Sequence, residues 1–194
     1  MRPLANRVGL VDVPSERKHH QGSVPLIGGL AMFIGITLGS FSSHIINIEE
    51  NLMFFFVGSF ILILTGIKDD FHGISSNKRF IFQILVALII VKAGGVLLED
   101  FGSLIFVEKL HLGIFSTVIT VFAIVGVVNS LNFSDGIDGM SASLSLVTFI
   151  SIAFFAYGIK ETYAFEFVLL YIVTIAAFLI FNLELFVGSS FKIF

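Results

Sequence analysis

The sequence predicts an all-α, polytopic membrane protein, a bundle of about six transmembrane helices, and three observations carry that prediction. The chain has 194 residues, of which 56% are hydrophobic and only 13% are charged. Globular domains carry about 25% charged residues, so this chain has too little charge to cover a soluble surface. The mean hydropathy is +1.02. A net charge of -3 argues against a nucleic-acid partner, and the absence of cysteine excludes a disulfide scaffold.

The first half of the chain is predicted to cross the bilayer three times. A spanning helix needs about 20 mostly apolar residues. Long stretches with few or no charged residues predict spans at about 28–46, 51–67 and 80–98. The third span contains Lys92 and the Gly94-Gly95 pair, so its outer end is less sharply defined than the other span ends.

The second half is predicted to cross three more times, at about 112–131, 140–157 and 163–183. Tyr157 and Tyr163 flank the loop between the last two spans, which is typical of aromatic residues at a membrane interface. No linker or internal repeat divides the chain. We therefore expect one membrane domain over residues 1–194.

The basic residues predict the orientation. If all six segments span, eight of the eleven basic residues lie on one side. Cytoplasmic loops carry the excess of Lys and Arg, so this side is expected to be the cytoplasmic face of a bacterial inner membrane. The eight residues are Arg2, Arg7, Arg17, Lys18, Lys68, Lys78, Arg79 and Lys192.

An acidic pair, Asp69-Asp70, follows the second span on this cytoplasmic side. Acids at the negative end of a helix dipole are disfavoured by about 0.3–1 kcal/mol each, which suggests a compensating cation. Mg²⁺ accepts one or two carboxylates and completes its shell with water and phosphates. A polar helix end satisfied by Lys68 and water explains the pair equally well.

A second polar cluster comprises Asn129, Asn132, Asp135 and Asp138, which recur at a spacing of three residues. In a helix such neighbours stack along one face, and two amides with two carboxylates form a plausible site for a cation and phosphates. The alternative is a turn that uses Asn, Asp and Gly for their turn chemistry. That alternative accounts poorly for the repeated spacing.

A basic block with histidines, Arg17-Lys18-His19-His20, precedes the first span. Arg and Lys neutralise phosphates, although the block could equally anchor the chain to anionic lipids. Arg79 and Gln83 lie four residues apart after the acidic pair and could share one helical face. Arg79 could also be an ordinary anchor at the membrane surface.

In order along the chain, these motifs resemble the polyprenyl-phosphate N-acetylhexosamine-1-phosphate transferase family. The motifs are Asp12-x-Pro14-x-x-Arg17-Lys18-x-His20, Pro25-x-x-Gly28-Gly29, Asp69-Asp70 with Arg79 and Gln83, and Asn132-x-x-Asp135-Gly136-x-Asp138-Gly139. The resemblance covers almost the whole chain. It is closest to the bacterial branch that uses N-acetylglucosamine and undecaprenyl phosphate in O-antigen or common-antigen synthesis.

The resemblance implies a Mg²⁺-dependent transfer, with Mn²⁺ as an alternative metal, of N-acetylglucosamine 1-phosphate from a UDP-sugar to undecaprenyl phosphate, which releases UMP. It implies catalytic roles for Asp69, Asp70, Asp135 and Asp138, with Asp69 and Asp70 at the metal. It implies substrate-binding roles for Asp12, Arg17, Lys18, His20, Arg79, Gln83, Asn129 and Asn132. The resemblance leaves open whether the protein forms a homodimer.

The resemblance also has departures. Family members begin with one more spanning helix, and they continue past the position of Phe194 into a Phe-x-Gly-Asp segment and a later His-bearing loop. We therefore expect the sequence to be an internal piece of the enzyme, with little activity alone. A transporter or channel fragment and a non-functional decayed copy remain alternatives.

Overall fold

Six α-helices make up most of what the computed structural model describes, which is residues 11–12 and 24–25 by their backbone and residues 28–43, 51–103, 109–135 and 139–183 in full. A single 3₁₀ turn in this part, Gly113–Phe115, precedes the fourth helix, and two-residue strands β1 (Val11–Asp12) and β2 (Val24–Pro25) pair antiparallel. The predicted all-α fold is confirmed. The helices are α1 (Gly28–Ser42), α2 (Leu52–His72), α3 (Ser76–Lys92), α4 (Ser116–Ser134), α5 (Met140–Gly158) and α6 (Thr162–Asn182).

The helices form a closed ring, because consecutive helices pack side by side and α6 returns to pack against α1. Aromatic rings fill the space between α2 and α6. Phe55 and Phe56 of α2 meet the ring of Phe167 edge-on at centroid distances of 6.2 and 6.3 Å. Phe167 in turn meets Tyr171 at 5.2 Å. Such tilted aromatic pairs add to the stability that their buried area provides.

The outer surface of the ring is apolar, as expected of a protein surrounded by lipid. Phe122 and Phe154 are 77% and 75% exposed on α4 and α5, and a soluble protein rarely leaves such side chains in water as a contiguous surface. Four segments are long and apolar enough to cross a membrane: α2, the 3₁₀ turn together with α4, α5, and α6. The helices α1 and α3 are shorter, with 15 and 17 residues.

Several predicted span ends differ from the helix ends, most of all in the third span. Helix α3 covers Ser76–Lys92 instead of 80–98, because the chain leaves the helix near Gly95, where φ is +67°. Residues 99–102 and 110–112 then pair antiparallel, with an Asp100–His111 bridge, and we call this pairing the hairpin. The prediction for residues 93–98 was therefore wrong. The predicted end of the first span, at 46, lies outside the described residues.

The second span also ends later than predicted, at His72 instead of residue 67. Helix α4 likewise runs on to Ser134, past the predicted 131. Both extensions carry polar residues, which hydropathy does not count as part of a span. The helices continue through them because a helix can keep its backbone hydrogen bonds after it leaves the hydrocarbon core. Asp69 and Asp70 consequently lie within the last turn of α2.

The ends of α2 and α4 and the starts of α3 and α5 lie at one end of the ring, which we call the aspartate end. There a Cβ built on Gly139, just before α5, would lie 3.0 Å from Leu183 Cδ2, just after α6. The hairpin and the start of α2 lie at the opposite end, where Asn51 approaches Gly95.

Candidate active site

The turn between α2 and α3 is organised by the carboxylate of Asp69. Its Oδ1 accepts a 2.6 Å hydrogen bond from the backbone N–H of Ile74, and its Oδ2 accepts one of 2.9 Å from Arg79 Nη1. The backbone carbonyl of Asp69 also accepts the N–H of Gly73 at 2.8 Å. Gly73 has a φ of +64°, a conformation that glycine adopts without steric cost. Asp69 therefore closes the three-residue turn that aligns the two helices.

The pairing of Asp69 with Arg79 offsets two unfavourable helix-dipole interactions. Asp69 lies near the negative end of α2, and Arg79 lies in the first turns of α3, near its positive end. Each charge alone is disfavoured there, and the ion pair at 2.9 Å compensates both. The compensating cation for Asp69 in this structure is a guanidinium. The side chains are 23% and 38% exposed, so the pair stays accessible to a ligand.

Asp70 is exposed on the same last turn of α2, beside exposed Lys68. Successive residues of a helix point about 100° apart, so the carboxylates of Asp69 and Asp70 have different directions. Asp69 points into the turn, where it holds α3.

The donor set at this helix end fits a Mg²⁺ ion that substrate phosphates help to hold. A carboxylate has about four acceptor positions, so Asp69 keeps acceptor capacity beyond its two observed hydrogen bonds. Mg²⁺ takes one or two carboxylates when phosphates and water complete its shell. No cluster of three or more Asp, Glu, His or Cys occurs within the described residues. Asp69 and Asp70 thus suit an ion that arrives with substrate phosphates better than an all-protein cage.

One helical turn further along α3, the predicted binding residues Gln83 and Asn129 contact each other. Asn129 Nδ2 donates to Gln83 Oε1 at 2.6 Å, and also to the carbonyl of Val125 at 2.8 Å. This amide pair ties α3 to α4. Gln83 lies near the middle of α3 and Asn129 in the last third of α4, so the pair holds the two helices in register on the side of the bundle that leads to the aspartate end.

The cluster on α4 does not remain on one face. A spacing of three residues turns each side chain by about 60° relative to the previous one. Asn129 therefore faces α3 and is half-buried, whereas Asn132 is exposed. Asp135 follows the end of α4 and is exposed as well.

Asp135 has a partner that the sequence reasoning missed. Ser141 Oγ, in the first turn of α5, donates to Asp135 Oδ1 at 2.6 Å. Gly139, with φ of +73°, makes the left-handed turn that starts α5. The six-residue separation of Asp135 and Ser141 matches no helical spacing, so no sequence signal marks this pair.

Several predicted site residues fall outside the described part of the chain: Arg17, Lys18, His20 and Asp138. For Asp12 only the backbone is described, and it pairs with Val24 in the short β1–β2 ladder. This pairing brings Val11 and Asp12 beside Val24 and Pro25, shortly before the start of α1.

Comparison with known proteins places these motifs in a family context. The family described as glycosyl transferase family 4 matches residues 52–194. A probable undecaprenyl-phosphate N-acetylglucosaminyl 1-phosphate transferase of Bacillus subtilis (strain 168) is 36% identical over all of this chain and 54% of its own length. Undecaprenyl-phosphate alpha-N-acetylglucosaminyl 1-phosphate transferases of Yersinia pestis and Haemophilus influenzae are 32% and 35% identical, over all of this chain and 52% and 54% of theirs. The chain thus spans about half the length of these relatives. No solved structure matches it.

Proposed function

The chain belongs to glycosyl transferase family 4, and we propose that it supplies the aspartate-bearing half of an enzyme that transfers N-acetylglucosamine 1-phosphate from UDP-N-acetylglucosamine to undecaprenyl phosphate. The observation that carries the proposal is the collection of Asp69, Asp70, Arg79 and Asp135 at one end of a bundle of membrane-length helices. A lipid-linked phosphate is held at this depth, where hydrocarbon meets water.

The reaction joins two anions, so the site has to offset their repulsion. An oxygen of the lipid phosphate attacks the sugar-bearing phosphorus of the UDP-sugar. The bond from that phosphorus to the bridging oxygen breaks, and UMP leaves with the oxygen. Phosphoryl transfer of this kind needs positioning and charge stabilisation from the protein, with little covalent participation. When bound, Mg²⁺ supplies neutralisation of the phosphate oxygens.

Different residues of this chain position the substrates and stabilise their charge. Asp70, exposed beside the turn, provides a carboxylate at the reacting phosphates, and Asp69 fixes the turn that presents it. We assign Arg79, which holds Asp69 and is partly exposed, to a substrate phosphate. Asn132 and Asp135, both exposed at the end of α4, are assigned to the nucleotide sugar. We place this end at the cytoplasmic face of the inner membrane, and the product in O-antigen or common-antigen synthesis.

In the test, residues 1–194 replace the aligned half of the Bacillus subtilis relative, and UMP release by this exchange protein is assayed in membranes. We expect UMP only when UDP-N-acetylglucosamine, undecaprenyl phosphate and Mg²⁺ are all present. Asp70→Asn is expected to lower the rate by about 10²–10³, the size of loss seen when one electrostatic stabiliser is removed.

Glu161→Gln is the matched control, because Glu161 is an exposed acid at the opposite end of the ring, before α6. It is expected to keep the parent rate. Near-parent UMP release by Asp70→Asn would show that the site is assigned wrongly. A folded exchange protein that releases no UMP with any UDP-N-acetylhexosamine would refute the proposed activity.

A further inference from the structure

An apolar groove runs along the outside of the ring between α2 and α3. It has a volume of about 660 Å³ and is lined by Ile61 of α2 and by a stripe of α3 that includes Phe82, Leu85 and Ile89. Phe82 and Leu85 are 39% and 50% exposed, so the groove opens to the surroundings of the bundle. Those surroundings are lipid, because α2 is long and apolar enough to cross a membrane.

The groove ends at a lysine. Lys92, the last residue of α3, lines this end of the groove with its aliphatic chain, and its Nζ lies beside the groove, where it donates to Thr117 Oγ1 of α4 at 3.3 Å. Within the described residues no carboxylate forms an ion pair with Lys92. Its side chain is exposed. An apolar groove with a cation beside one end matches the shape and charge of a lipid with an anionic headgroup.

The depth of Lys92 agrees with this match. The 17 residues of α3 span about 25 Å at 1.5 Å per residue, somewhat less than the hydrocarbon core of about 30 Å. A lysine at such a helix end extends its chain so that the ammonium reaches the headgroup layer. This layer belongs to the leaflet opposite the aspartate end.

We propose that the groove and Lys92 bind one anionic phospholipid of that leaflet, with an acyl chain along Ile61, Phe82 and Ile89 and the headgroup phosphate on the Lys92 ammonium. Lysine acts as a point charge toward phosphate, so the site favours a headgroup with net negative charge over a zwitterionic one. The proposal depends on the membrane fold alone and is independent of the proposed transferase activity.

The experiment uses fluorescence, because the chain has no tryptophan. Phe82→Trp puts one reporter in the groove of the full chain, and brominated phosphatidylglycerol or phosphatidylcholine is titrated into nanodiscs of the unbrominated neutral lipid. We expect brominated phosphatidylglycerol to reach half-maximal quenching at a mole fraction about fivefold lower than brominated phosphatidylcholine does. This is the factor that corresponds to one lysine near a lipid phosphate. Adding Lys92→Gln is expected to abolish that difference.

Two controls separate a site from general lipid enrichment. Val173→Trp reports from an exposed position of α6 outside the groove, where both lipids should quench equally. Lys160→Gln removes a lysine from the loop between α5 and α6 and should leave the preference intact. The proposal is overturned by equal quenching of the Phe82→Trp reporter by both lipids, by a preference that survives Lys92→Gln, by the same preference at position 173, or by protection of position 82 from both lipids through a second copy of the chain.

Discussion

At the scale of single residues, Asp69 carries two roles that experiments can separate. Its carboxylate holds the α2–α3 turn through the amide of Ile74 and the guanidinium of Arg79, and the family resemblance implies that the same carboxylate contacts the metal. Asparagine retains an acceptor oxygen for the Ile74 amide but loses the charge. Substitutions at this position therefore distinguish folding from chemistry.

Asp69→Ala is expected to lower the free energy of unfolding by about 1–2 kcal/mol, because a hydrogen bond to a charged group and the turn acceptor are both lost. Asp69→Asn should lose less, since Ile74 keeps a partner. Unfolding of the purified chain in detergent, followed by circular dichroism, measures both. Lys68→Ala, a change to an exposed neighbour, should stay within about 0.5 kcal/mol. If Asp69→Ala is as stable as the parent, the carboxylate does not organise the turn.

Asn129 and Asn132 form a matched pair on α4, since one is bonded to Gln83 and the other is exposed. Hydrogen bonds between membrane helices contribute about 0.6 kcal/mol on average and up to about 1.7. Asn129→Ala should therefore lower the unfolding free energy by about that amount, and Asn132→Ala should not.

The same two variants also test the binding assignment in the exchange enzyme. Asn132→Ala is expected to raise KM for the UDP-sugar at unchanged stability. A stability loss in Asn132→Ala equal to that in Asn129→Ala would contradict the assignment of separate roles. If the Asn132→Ala enzyme kept the parent KM for the UDP-sugar, only the assignment of Asn132 to substrate binding would fail.

At the scale of elements, glycine determines how closely α2 approaches α3. A Cβ at Gly58 would lie 3.0 Å from Val86 Cγ1 and 3.3 Å from Ile90 Cδ1. At Gly66, two turns further along α2, no atom lies within 4 Å of such a Cβ. Both positions are glycines of α2, but Gly58 packs against α3 and Gly66 faces open space.

Gly58→Val is expected to destabilise the chain by about 1–3 kcal/mol, the usual cost of added methyl groups in a packed contact. Gly66→Val should be close to neutral, because its side chain enters open space. Thermal unfolding in detergent compares the two variants. Equal losses at both positions would mean that helix propensity, instead of the α2–α3 contact, controls the effect.

The existence of the helices was predictable from the sequence, while several of their ends were not. Hydropathy reports which residues lie in the hydrocarbon core. It therefore stopped the second span at 67, although the helix continues to His72 and is capped by Gly73, whose N–H donates to the Asp69 carbonyl. It also carried the third span past Lys92 into 93–98, where the chain has already left the helix.

The candidate site was predictable in composition and only partly in geometry. The negative end of the α2 dipole indicated a cation near Asp69, and Arg79, ten residues later, provides it. The bond between Gln83 and Asn129 joins residues 46 positions apart. Such a contact depends on how α3 and α4 pack, which no local spacing encodes.

At the scale of the whole molecule, the ring places the patterned acids and Lys92 at opposite ends. The order of the helices decides at which end each loop lies. Helices α2 and α4 end where α3 and α5 begin, and the loop between α5 and α6 lies at the other end with the hairpin. The excess of basic residues then predicts which end is cytoplasmic. The chain has no cysteine, so single cysteines report this orientation without background.

Ser76→Cys and Glu161→Cys test that orientation, because both positions are exposed and lie at opposite ends of the ring. In intact spheroplasts a membrane-impermeant maleimide is expected to label Glu161→Cys and to spare Ser76→Cys. In inverted inner-membrane vesicles the pattern should reverse, because the aspartate end then faces the reagent. Labelling of Ser76→Cys from outside the cell would place Asp69 and Asp70 away from cytoplasmic UDP-sugars, and the proposed transfer would then lack access to its donor.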